Sequence, residues 1–123
     1  YYSIYTAILD SFVIGIQNIS NSVPEKFSLF QNYPNPFNPT TKIRFSLPSP
    51  SEGGVYNNVS LIIYDILGKQ VASLLPPLRG GQEGLQPGTY EADWDGSNYS
   101  SGVYFYKLTS GTFSETKKMN LIK

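Results

Sequence analysis

Nine prolines and eleven glycines cut this 123-residue chain into short pieces. Proline has no N–H to donate and clashes inside a helix, and glycine loses the most backbone freedom on ordering, so neither suits a helix interior. What survives between them shows little helical period but repeated two-residue alternation. From Thr41 to Leu47 the apolar positions Ile43, Phe45 and Leu47, with Thr41, fall on one face, and Lys42, Arg44 and Ser46 on the other. Val59, Leu61 and Ile63 share a face, as do Tyr90, Ala92 and Trp94. Lys107 has to stay in water, which turns Tyr104, Tyr106 and Leu108 inward.

Shorter strands are predicted over Phe27–Gln31 and Gln70–Leu75, and a last one over Phe113–Ile122. Gly68, in Leu67-Gly68-Lys69, supplies a turn residue able to take positive φ. Pro34, Pro36 and Pro39 forbid a regular ladder and predict a stiff, polyproline-like loop. About seven strands follow residue 25, with turn signals every eight to twelve residues or so, the spacing of an antiparallel sandwich. One domain accounts for the length. Residues 18–24 read as a Ser/Asn linker, giving a strand arm with its linker over 1–22 and a sandwich over 23–123.

Several chemistries are excluded or disfavoured at this level. Without Cys or His there is no thiol nucleophile, no imidazole base, no disulfide and almost no zinc chemistry. Zero net charge gives no basic face for nucleic acid and no polybasic membrane patch. No segment approaches the roughly 20 apolar residues of a membrane span. Because the first residue is Tyr1 and not Met, a processed chain or a fragment is expected. The run Asp93-Trp94-Asp95-Gly96-Ser97-Asn98 hints at calcium, but its glycine comes too early for a calcium loop, and an Asx-capped turn fits better. No cofactor, metal or catalytic residue is expected.

Five segments in order carry a resemblance. They are NYPNPFNPTT at 32–41, LIIYDILGKQV at 61–71, PGTYEADWDG at 87–96, SGVYFYKL at 101–108 and KKMNLIK at 117–123. This order resembles the type A C-terminal sorting domain of the type IX secretion system and the related flagellar-hook-cap-like immunoglobulin domain. The resemblance implies an all-β, immunoglobulin-like antiparallel sandwich that guides secreted proteins of Bacteroidetes-like bacteria across the outer membrane. Such a module is extracellular or at the cell surface, has no catalysis of its own and meets the secretion machinery. The positions that carry over are Pro34, Asn35, Pro36, Gly68, Gly102, Tyr104, Lys117, Lys118 and Lys123. In the family a large cargo precedes the domain, whereas here only 22 residues do.

Two of these features also have plainer readings. The proline loop serves equally as an edge cover, and the lysines as solvated edge-strand residues. Residues 1–17 carry the sharpest alternative. Ile4, Leu9, Phe12, Ile14 and Ile16 are too apolar to hang in water. They are expected either to pack on the chain's own sandwich or to add a strand to a neighbouring copy, building an extracellular homopolymer.

Overall fold

The computed structural model describes residues 16–20, 22–51, 53–75 and 84–123. Eight strands form among these residues: β1 (Ile16–Ser20), β2 (Ser28–Leu29), β3 (Thr40–Leu47), β4 (Val59–Tyr64), β5 (Gln70–Ser73), β6 (Gly88–Asp95), β7 (Gly102–Ser110) and β8 (Phe113–Leu121). They pair into two antiparallel sheets of four, in the orders β1-β6-β3-β2 and β5-β4-β7-β8. In an immunoglobulin sandwich one sheet runs A-B-E-D and the other C-F-G. Here β2-β3-β6 follow the A-B-E order and β4-β7-β8 the C-F-G order; β1 takes the place of D, and β5 extends the second sheet. Among the described residues seven strands follow residue 25, in line with the turn spacing, and β1 is an extra one.

The alternating residues fill the space between the sheets. Ile43, Phe45, Leu47, Tyr90, Ala92 and Trp94 from the first sheet meet Leu61, Ile63, Tyr104, Tyr106, Leu108, Met119 and Leu121 from the second, all buried. Tyr104 is a tyrosine corner: it lies near the start of β7 and its hydroxyl donates to the Ser100 carbonyl at 2.8 Å. The outer face of the first sheet is polar, with Lys42–Asp93 at 2.8 Å and Arg44–Glu91 at 3.1 Å bridging directly opposed residues of β3 and β6.

Four local expectations need correction. Asn18, Ile19 and Ser20 are not linker but strand, registered on Tyr90 and Thr89 of β6. Ser46 is buried and not in water, because it lies between Ser28 of β2 and Thr89 of β6 and shares a 3.0 Å hydrogen bond with the Thr89 hydroxyl. The strand expected over 27–31 shrinks to Ser28–Leu29, since Phe27 leaves the ladder to stack on Phe113 at 4.6 Å. The proline loop is no extended polyproline rod. It folds back on the sandwich, with cis bonds before Pro34, Pro36 and Pro39, and buries Phe37.

Candidate functional site: the proline-loop end of the sandwich

Strand register brings the resembling segments to one end. Thr40, which opens β3, faces Asp95, which closes β6. Tyr64, closing β4, faces Phe105 near the start of β7, and Gly102 faces Leu121 at the end of β8. The loops 30–39, 65–69 and 96–101 and residues 122–123 therefore gather at the same pole. Pro34, Asn35, Pro36, Gly68, Gly102 and Lys123 all lie there and are exposed.

The proline loop is held from beneath. Asn32 is buried, and every polar group of its side chain is used. Its Nδ2 donates to the Thr41 hydroxyl at 3.0 Å and to the Pro34 carbonyl at 3.1 Å; its Oδ1 accepts from Gln31 at 2.7 Å. Its backbone N–H donates to the Tyr106 hydroxyl at 2.8 Å, and that hydroxyl donates to the Phe30 carbonyl at 2.7 Å. Thr41 adds a 2.9 Å bond to the Pro34 carbonyl. Burying these groups would be costly without such partners.

Beyond that anchor the loop pairs with the end of β8. The Phe37 N–H donates to the Asn120 carbonyl at 3.0 Å, and the Ile122 N–H donates to the Phe37 carbonyl at 2.9 Å, making a parallel bridge at Phe37–Leu121. Asn35 Oδ1 accepts from the Asn120 N–H at 3.0 Å, and Gln31 reaches the Lys118 carbonyl at 2.7 Å. The Phe37 ring fills the core beside Trp94 at 5.7 Å, and Tyr99 and Tyr104 flank the indole at 5.5 and 5.4 Å. The neighbouring loop is tied in as well: the Gly96 N–H donates to the Pro39 carbonyl at 2.7 Å and the Tyr99 hydroxyl to the Val71 carbonyl at 2.9 Å.

The Asp95 carboxylate caps this loop by accepting from the backbone N–H and the hydroxyl of Ser97, and these bonds hold its pKa below the ordinary carboxylate value. That is the Asx-capped turn the sequence predicts. Among the described residues, no group of three acidic side chains is placed to hold a metal ion. At the 65–69 turn the Asp65 carboxylate accepts from the N–H groups of Leu67 and Lys69, both at 2.9 Å. Gly68 takes φ 85° there, and the turn lifts Leu67 to 90 % exposure.

The three lysines named from sequence share no patch. Lys123 is bound at the pole, its Nζ donating to the carbonyls of Ser97 at 2.5 Å and Tyr99 at 3.0 Å. Lys117 lies on the inward face of β8 with Met119 and Leu121, 3.5 Å from Glu115, while Lys118 points to the opposite face. Tyr104 is in the core. Asn32, Phe37 and Asn120, which hold the pole together, were not singled out from sequence, and Tyr106 was read from it only as an inward-facing strand residue. Of the apolar positions assigned to self-assembly, Ile4, Leu9, Phe12 and Ile14 lie outside the described residues. Ile16 is half-buried against the chain's own core, opposite Ala92.

A family model described as the secretion system C-terminal sorting domain matches residues 31–122, from the residue before Asn32 to the residue before Lys123. The chain belongs to this sorting-domain family. No curated protein and no solved structure gave a significant match. As a type IX sorting domain, the chain is a signal-bearing module whose family works with secretion machinery. The match takes in the first four segments whole and the fifth as far as Ile122, and so the pole apart from Phe30 and Lys123. No helix among the described residues is long and apolar enough to cross a membrane.

Proposed function

We propose that this sorting domain is a non-catalytic export and surface-anchoring module, and that the export machinery reads it at the proline-loop pole. The observation that carries this reading is the pairing of the loop with the end of β8. Pro34, Asn35 and Pro36 stand in solvent on a base fixed by Asn32, Phe37 and Asn120, so little ordering entropy is lost when a partner binds them. Gly68, Gly102 and Lys123 complete the surface, whereas Lys117 and Lys118 stand apart from it. The destination is the cell surface or the medium. No observation favours a filament subunit: Ile16 and Gln17, the described part of the 1–17 segment, pair in cis with Ala92 and Glu91.

The test is a reporter fused ahead of the chain in a type IX-secreting bacterium. The wild-type fusion is expected outside the cell. The double substitution Pro34→Ala and Pro36→Ala, in a domain still folded by circular dichroism, should leave the reporter inside, while Lys42→Ala on the outer face of the first sheet should not. Normal export of the folded double variant would remove the proline loop from the recognised surface.

A further inference from the structure

The two outer faces of the sandwich differ in kind. On the first sheet the outward charges are matched across β3 and β6. On the second sheet the outward positions of β4 and β7 carry Ile62, Tyr64, Val103 and Phe105, with Tyr64 directly opposite Phe105. All four are half-buried, yet none is among the residues packed against the core. The strip runs on past Tyr64 into Ile66 and Leu67, which are 68 % and 90 % exposed on a turn fixed by Asp65.

The charges on this face are one-sided. Among the outward positions of β4, β5, β7 and β8 the charged residues are Lys107, opposite Ile62, and Lys118, opposite Phe105. Both are positive, and no ion pair engages either among the described residues. An apolar strip that ends in the exposed Ile66 and Leu67 and carries only lysines at its outward charged strand positions suits a partner surface of opposite charge. Two copies stacked through this face would set lysine against lysine. A membrane surface calls for a cluster of four or more basic residues, which the face lacks.

We infer that the outer face of the β5-β4-β7-β8 sheet docks a second, different protein whose contact surface is apolar and edged by carboxylates. The face is separate from the proline-loop pole, and the inference borrows from the sorting reading only the choice of organism. The experiment places a photo-reactive phenylalanine analogue at Phe105, or at Gln17 on the first sheet as control, in the purified full chain. Each is irradiated with cell envelopes of a type IX-secreting bacterium.

The expected result is one discrete protein adduct from position 105 and none from position 17. The attachment site should lie beside Asp or Glu side chains. Lys107→Glu with Lys118→Glu, in a chain folded as the parent by circular dichroism, should cut the yield about tenfold, since opposed charges become like ones. The inference is overturned by no adduct at 105, by an adduct to lipid or to another copy of the chain, or by a yield that charge reversal does not change. Because the chain is added from outside, the outcome does not depend on export, and the reporter assay judges the sorting reading separately.

Discussion

Tyr106 joins the two sheets through a single hydroxyl, which accepts from the Asn32 N–H and donates to the Phe30 carbonyl. Burial of that phenol pushes its pKa from 10.0 up to about 12. The folded state therefore disfavours the phenolate, and the sign follows. The contribution of Tyr106 to stability is whole below about pH 10 and falls as pH rises through about 12, where the folded form also ionises. Tyr106→Phe should cost about 1–3 kcal/mol in denaturant unfolding at neutral pH, because it orphans a buried N–H and carbonyl. It should also flatten part of the alkaline loss of stability. Tyr104 and Tyr56, also raised by burial, would keep the remainder. An unchanged alkaline profile in the variant would mean that this phenol does not titrate with unfolding.

At the scale of elements, the edges of the sheets explain more than their centres. The upper half of β8 is covered by the proline loop, and its lower half turns Glu115 and Lys117 inward, a charged pair that discourages a further strand. Phe37→Ala should cost about 3–5 kcal/mol, since it empties a core site next to Trp94. Amide exchange should then speed first at Phe37 and Ile122. Equal protection at both sites would show that the loop is held by its polar base alone.

The opposite edge gives a cleaner test. Because the chain has no cysteine, Ile16→Cys with Ala92→Cys places one pair across β1 and β6. A disulfide within one chain is expected on a non-reducing gel; chain-to-chain bonds would revive strand donation. The faces of β3, β4, β6 and β7 were legible in the sequence because the two-residue period survives wherever one side of a strand is buried. Asn18–Ser20 was not, since Asn18 and Ser20 are turn-favouring residues that the register of β6 makes strand. Nor was the plug at Phe37, whose burial depends on Leu121 and Asn120, more than eighty residues further on.

For the whole molecule, the sandwich is polar in two senses. One end carries all five of the resembling segments at or near it, and one face carries the apolar strip while the other carries paired charges. Composition hints at neither, because a net charge of zero does not say where the nine basic and nine acidic residues lie. The join between Phe37 and Leu121 has a further consequence, one of timing. An early loop finds its partner only when the eighth strand has been made or has emerged from a channel. A chain stopped short of Met119 would lack what seats Phe37 and would leave Gly102, Val103 and Tyr104 at the start of β7 without partners. Folding of this domain therefore reports that synthesis has run through to β8, and a machine that reads only the folded pole would pass over chains that had been cut short.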